Sequence, residues 1–236
     1  MSKDKRIFLA IPTHNGMVCG ETMISAVNAL RTSKYPIGFF YQKHSKLTMN
    51  FNLLLAKAIN EGYSHFLMLH SDISVEGPWM QRMMEIMEER TAEILSVNMM
   101  LKHHDGFTST GLCKEETSPL LIKRYTLKEL ANLPQTFTHP DIVLNTGVML
   151  IDLNAPFMKH FGKGLHFRVT DNVVKEDGKL KVYGGGTEDW LFSLDARKFG
   201  ATKLYATTEI TAHHIGTSYY TNKGDWGIES EECQLM

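Results

Sequence analysis

The sequence predicts an α/β fold, a central sheet flanked by helices, and three observations carry that expectation. Short apolar runs of strand length (Ile7–Ile11, Phe39–Tyr41, His65–Ile73, Glu93–Met100) alternate with stretches of helical periodicity through the first hundred residues. The first and third of these runs break into polar, turn-forming residues, as strands do where their carboxyl ends open into loops. At 236 residues, 43% of them hydrophobic, the chain can bury one sizeable core, so a single domain over 1–236 is expected.

Ile7-Phe-Leu-Ala-Ile11 forms the first strand and is halted by Pro12-Thr-His-Asn-Gly16, whose Pro and Gly cannot continue a ladder. From Glu21 to about Thr32, Met23, Ile24, Val27 and Leu30 recur at helical spacing and predict an amphipathic helix that covers one sheet face with that stripe. Phe39–Tyr41 is a second strand. Leu47–Asn60 is a second helix, with Phe51, Leu54, Leu55, Ala58 and Ile59 inward and Gly62 as its C-cap. The His65–Ile73 strand follows, Pro78 opens a helix to about Glu89, and Glu93–Met100 is another strand. Lys102–Pro119 loses periodicity and is expected to be an exposed, mobile excursion without regular structure. Ile142–Asp152 is apolar and β-branched around Asn145-Thr-Gly147, a strand with a bulge or a close backbone approach at Gly147. Between Lys159 and Lys181 the chain is polar, with a turn at Asp177-Gly178. After Gly184–Gly186, which grant backbone freedom, Thr187 caps a helix to about Lys198. Trp190, Leu191, Leu194 and Ala196 or Phe199 lie on its inner face and Gly200 closes it. A last strand, Thr202–Ala206, leads into Thr211-Ala-His-His-Ile-Gly216, and no internal repeat is present.

Composition narrows the function classes. A net charge of -1 gives no global nucleic-acid footprint, which leaves Lys3–Arg6 and Lys123-Arg124 as local candidates. The three cysteines, Cys19, Cys113 and Cys233, show no CxxC spacing, so neither a disulfide framework nor a structural zinc site is expected. No apolar run reaches the ~18 residues of a membrane span, and a cytoplasmic protein is expected.

Three constellations carry chemistry. The His65–Ile73 strand ends at His70-Ser71-Asp72, which delivers an imidazole, a hydroxyl and a carboxylate to the strand end where open α/β sheets bind ligands. An Asx-type turn at Asp72 would explain the same tripeptide without a ligand. Joined by the late His213-His214 pair, Asp72 and His70 could hold Mn or Mg. On an extended chain those two histidines point to opposite sides, so at most one faces Asp72. Second, Glu188-Asp189 opens a helix, where the macrodipole alone accounts for acidic residues, yet one of the pair remains free to act as a general base. Third, Pro12-Thr-His-Asn15 with Asn50 offers hydroxyl and amide groups that either read a nucleobase edge or simply cap turns.

In this order the features resemble GT-A-fold glycosyltransferases of the family-2 type. Ile7-Phe-Leu-Ala-Ile-Pro-Thr-His-Asn15 is similar to their opening strand and loop, and His65-Phe-Leu-Met-Leu-His-Ser-Asp72 to their aspartate-x-aspartate strand end, with His70 in place of the first aspartate. Asn145-Thr-Gly-Val-Met-Leu-Ile151 resembles their acceptor-side strand, Thr187-Glu-Asp-Trp-Leu-Phe192 their x-Glu-Asp helix, and Ala212-His-His-Ile-Gly216 their closing segment. The resemblance implies a Rossmann-like fold with a mixed, mostly parallel sheet, residues 1–100 forming the nucleotide-sugar half and 101–236 the acceptor half. Thr13, Asn15, Asn50, Ser71 and Asp72 would line the donor site, with a UDP-sugar the first choice of donor. Asp72, His214 and His70 would hold a divalent metal, Mn or Mg, and Glu188 and Asp189 would sit at the acceptor, Asp189 as base.

On that reading the enzyme is a metal-dependent hexosyl- or pentosyltransferase. With inversion Asp189 deprotonates the acceptor hydroxyl; with retention it positions the acceptor. Lys102–Pro119 and Gly184–Gly186 would close over the donor and exclude water. A sugar-nucleotide pyrophosphorylase is the alternative enzyme, but it wants a basic first loop, and Pro12–Gly16 has no Lys or Arg. A non-catalytic carbohydrate- or nucleotide-binding module is the alternative outside enzymes. The acceptor stays open among a saccharide, a lipid-linked sugar, a protein side chain and a hydroxylated base in phage-type DNA.

Overall fold

The computed structural model describes residues 5–103, 105–113, 122–183, 186–216, 219–225 and 227. In chain order the elements are β1 (Ile7–Thr13), α1 (Gly20–Thr32), β2 (Ile37–Lys43), α2 (Leu47–Asn60), β3 (His65–Leu69), β4 (Ile73–Val75), α3 (Trp79–Arg90), β5 (Ile94–Val97), β6 (Phe107–Cys113) and β7 (Ile122–Thr126). There follow α4 (Leu127–Ala131), β8 (Thr136–Phe137), β9 (Ile142–Val143), β10 (Val148–Asp152), a 3-10 turn (Pro156–His160), β11 (Asn172–Glu176), β12 (Lys179–Tyr183), α5 (Glu188–Lys198), β13 (Leu204–Thr207), β14 (Ala212–Ile215) and β15 (Tyr219–Thr221).

The fold is α/β, built on a seven-stranded sheet of order β2-β1-β3-β10-β5-β13-β8. Strands β2, β1 and β3 are parallel; β10 runs against both β3 and β5; β13 is parallel to β5, and β8 runs against β13. All but β10 and β8 therefore point the same way. The sheet is the mixed, mostly parallel one expected, and the carboxyl ends of β1, β3 and β5 share one edge. Alternation along β1 divides the core, with Ile7, Leu9 and Ile11 packing towards α1 and α3, and Phe8 and Ala10 towards α2 and α5.

The first three helices lie where the periodicity places them, but α1 is turned over. Met23, Ile24, Val27 and Leu30 are exposed, Ile24 by 62%, while Thr22, Ser25, Ala26 and Ala29 face the sheet. The reason is close approach with specific bonds. The Ser25 hydroxyl accepts the Val75 N–H at 2.8 Å, its carbonyl accepts the Trp79 indole N–H at 3.0 Å, and larger residues would hold the helix too far out. In α2, Phe51, Leu54, Leu55 and Ala58 are buried as expected, but Ile59 stays 36% exposed at the last turn.

Two further expectations, at Lys102–Pro119 and at His65–Ile73, are corrected. Lys102–Pro119 is not wholly irregular: Phe107–Cys113 is β6, with buried Thr108, Thr110, Gly111 and Cys113, paired to β7 and β9; its residues 104 and 114–119 lie outside the described residues. The polar 159–181 segment contains β11 and half of the β11–β12 hairpin, whose turn does fall at Asp177-Gly178, both with positive φ. His65–Ile73 is likewise not one strand. β3 ends at Leu69, and after His70–Asp72 the chain re-enters as β4, in a separate three-stranded sheet with β14 and β15.

Candidate functional site

Asp72 sits in the turn between β3 and β4, and the surrounding backbone fixes that turn from three sides. The Ser71 carbonyl accepts the Cys19 N–H at 2.8 Å and the Thr22 hydroxyl at 3.2 Å, so the start of α1 is pinned to it. The His70 N–H donates to the Gly147 carbonyl at 2.9 Å, and the Asp72 carbonyl accepts the Ile215 N–H at 2.7 Å. Gly147 is a close approach, as its sequence context suggests: a Cβ there would lie 2.7 Å from Ile73 Cδ1.

His214 reaches this turn because β14 pairs with β4, His214 opposite Ile73. Its Nδ1 donates to the Met100 carbonyl at 2.9 Å, which leaves Nε2 facing Asp72 Oδ2 at 3.5 Å. His213 turns the other way and bonds Glu76 Oε1 at 2.8 Å, as strand alternation requires. Lys102, in the loop between β5 and β6, donates to the same Asp72 Oδ2 at 2.6 Å. Burial alone would push the Asp72 carboxyl up, but the hydrogen bonds from His214 and Lys102 hold it well below the usual carboxylate range. Asp72 is therefore ionised at neutral pH.

His70 is in the turn but not in this cluster. Its Nε2 lies 3.2 Å from the Thr146 hydroxyl and its ring against Phe51, centroids 5.2 Å apart. Burial pushes it down to about 4, so it is a neutral side chain at pH 7. Among the described residues no three His, Cys, Asp or Glu groups converge into a metal site. Asp72 and His214 offer two ligands, and an ammonium already occupies the carboxylate oxygen between them. This donor set does not fit a resident divalent ion.

The first loop folds on itself. The buried Thr13 hydroxyl donates to the Met17 carbonyl at 2.8 Å and accepts the Gly16 N–H at 3.1 Å, while Asn15 Oδ1 accepts the Met17 N–H at 2.9 Å. Asn50 is fully buried, and its amide donates to the Thr13 and Gln42 carbonyls at 3.1 and 2.8 Å. Asn50 thus clamps the ends of β1 and β2 and is not at a surface. Asn15 is exposed beside it, and Ser71 is half-buried.

The acidic pair stands at the start of α5, at the same end of the sheet. The Ser193 hydroxyl on α5 accepts the Leu144 N–H at 2.9 Å, just ahead of the Thr146 that meets His70. The Trp190 indole donates to the Ser109 carbonyl at 2.9 Å, and Ser109 in turn donates its N–H to Met99, next to the Met100 that holds His214. Contacts of α5 thus run toward the strands that carry the Asp72 corner. Burial, with the Glu188 charge alongside, pushes Asp189 up to about 7, against the Thr187 hydroxyl and the Trp190 N–H that bond its carboxylate. Burial also raises Glu188. The Arg124 guanidinium lies 4.3 Å from the Trp190 ring, and Lys123 pairs with Glu129 at 3.1 Å, so this basic dipeptide serves the fold and the site. Gly186 is required by contact, since a Cβ there would lie 2.6 Å from Leu191 Cγ; Gly184 and Gly185 lie outside the described residues.

Sequence reasoning offered Arg124 only as part of a local basic candidate and missed Lys102 and Asn98. The last, just beyond β5, is fully buried with neither amide atom paired. No pattern marks Lys102 or Asn98, which the chain running on from β5 brings in. A cleft of about 610 Å³ between Lys5, His65, Glu88 and Asp152 lies at the opposite sheet edge and holds none of the expected residues.

No protein-family model and no curated protein matches this chain. Among solved structures, the crystal structure of A197 from STIV is similar with a TM-score of 0.54 at 13% identity, over 89% of this chain and 86% of that one. Two crystal structures of S. aureus TarS, the second of residues 1–349, match at 12% and 13% identity with TM-scores of 0.44 and 0.42. Each covers 91% of this chain, which spans only 36% and 59% of theirs. The A197 likeness shows a shared fold, in keeping with the GT-A-like α/β sheet expected from the sequence. Among the described residues no helix is long and apolar enough to cross a membrane.

Proposed function

We propose that this protein is a glycosyltransferase that moves a sugar from a nucleotide-sugar, a UDP-sugar in the first instance, to an acceptor hydroxyl. One observation carries the reading: two carboxylates at one end of the sheet are driven apart in acidity, Asp72 held ionised by the hydrogen bonds of His214 and Lys102 and Asp189 held near neutrality. The donor diphosphate would lie at Asp72, Lys102 and His214, with Ser71 and Asn15 flanking it, and the acceptor at Glu188 and Asp189. Residues on both sides of position 100 thus build the donor corner.

In the proposed step the acceptor oxygen attacks the anomeric carbon and gives its proton to Asp189. The bond from that carbon to the diphosphate breaks, and its electron pair stays on the phosphate oxygen. Glu188 accepts a hydrogen bond from the acceptor and keeps the Asp189 proton affinity high. A divalent ion would supply further charge stabilisation to the leaving group, but the residues present do not fit one, and no part of this step depends on it.

The test is donor turnover without acceptor. Incubation with UDP-, GDP-, CMP- and ADP-sugars, followed by NMR, should show slow hydrolysis of one donor by the wild type and a loss of at least about a hundredfold in Asp189→Asn. A binding module would hydrolyse none, and formation of a nucleoside triphosphate from donor and pyrophosphate would instead establish the pyrophosphorylase reaction.

A further inference from the structure

We infer that Lys102 is the resident cation of the donor site and neutralises the diphosphate in place of a divalent metal. This rests on the transferase reading above and specifies how its donor is held.

Four features of the Asp72 corner point to it. First, Lys102 Nζ sits 2.6 Å from Asp72 Oδ2, the oxygen that His214 Nε2 also faces at 3.5 Å. Second, His214 donates its Nδ1 proton to the Met100 carbonyl, which fixes the ring with Nε2 toward that same oxygen. The ammonium of Lys102 is the cation held at that oxygen. Third, the lane for the lysine stem is cleared by glycine: a Cβ on Gly216 would lie 3.1 Å from Lys102 Cδ and 3.7 Å from Cε. Fourth, the remaining expected ligand, His70, is turned to Thr146 and Phe51, so a metal would find two protein ligands and an ammonium competing for one of them.

An ammonium has three donors. One is held by Asp72, which makes that carboxylate a positioning residue for Lys102, and two remain for diphosphate oxygens. As the anomeric bond breaks, charge grows on those oxygens beside a cation whose place is already set. The site thereby obtains charge stabilisation without recruiting an ion from solution.

The inference is tested by calorimetric titration of UDP, GDP, CDP and ADP into wild type, Lys102→Met and Lys102→Arg, each with EDTA and with Mn. The Lys102 side chain is 37% exposed, so these variants should fold, which circular dichroism verifies. Expected is one nucleotide bound by the wild type with an affinity that changes less than about twofold between EDTA and Mn. Lys102→Met should weaken it about tenfold or more in both, and Lys102→Arg should recover most of the loss. Binding that requires Mn, or an unaffected Lys102→Met, overturns the inference and leaves the transferase reading standing. No binding of any nucleotide under either condition overturns both.

Discussion

Replacing Asp189 by Asn should make the protein more stable at pH 8 while removing the proposed base. The folded carboxyl titrates at about 7, against about 4 in an unfolded chain. Between those values the folded state keeps a proton that the unfolded state has released. Stability is therefore highest below about pH 4, is lost progressively as pH rises to about 7, and is flat beyond. At about 1.4 kcal/mol per pH unit the full penalty above pH 7 is ~4 kcal/mol. The carboxylate is partly open to solvent, which screens it, and ~1–2 kcal/mol is the realistic gain on removing the charge. Asn preserves an oxygen for the Trp190 N–H and the Thr187 hydroxyl, so little else changes. Urea denaturation of both proteins at pH 5 and pH 8 measures it. The variant should exceed the wild type by ~1–2 kcal/mol at pH 8 and by roughly a third of that at pH 5. An Asn variant that is equally or less stable than wild type at pH 8 would falsify the buried, proton-retaining carboxyl. With this carboxyl as the proposed base, kcat/KM of the wild type should rise about tenfold per pH unit below 7 and level off above it, because a base must be ionised to act.

Asp72→Ala should cost less than about 1 kcal/mol of stability, because its ion pairs are one-third exposed, while nucleotide binding falls at least about tenfold; equal losses in both would mark a structural residue. Ile24→Lys on the outer face of α1 should change stability by less than about 0.5 kcal/mol, whereas a helix packed through its apolar stripe would lose several. Gly147→Ala places a methyl 2.7 Å from Ile73 Cδ1 and 3.1 Å from Asn145 Oδ1, so a loss of ~1–3 kcal/mol and weaker donor binding are expected, read by thermal melting and calorimetry.

What the sequence shows is local and what it hides is pairwise. Strand and helix periods, the Gly62 and Gly200 helix ends, the tight Gly147 and the opposed histidines all follow from spacing within a few residues. The orientation of α1 did not, because its inner face is chosen by Ser25 bonding Val75 and Trp79, some fifty residues away, over the apolar stripe that periodicity selects. β6 was hidden for a related reason. Its Thr-Ser-Thr-Gly run has little apolar character, and its burial comes from β7 and β9. In the site, Asp72, His214 and Asp189 were legible because their residue types announce chemistry. Asn50 carried the same type and proved to be a clamp, and Lys102 carried none, being one lysine among many until the loop after β5 delivers it to Asp72.

The opposite displacement of the two carboxylates is the strongest reason to regard this sheet end as a reaction site. If the acidic residues served only the helix dipole, Glu188 and Asp189 at the start of α5 should both be stabilised as anions. Both are instead raised, by burial and, at Asp189, by the Glu188 charge alongside, even with Arg124 acting the other way. If Asp72 merely ended a strand, it would need no cation, yet Lys102 is drawn over Gly216 to reach it. A carboxylate held against its charge at the same sheet end as one held in it is the arrangement that perturbed acid–base pairs at reaction sites take. A transfer between a charged donor and a neutral hydroxyl uses both: a fixed charge arrangement where the diphosphate departs, and a group that can take up a proton where the hydroxyl attacks.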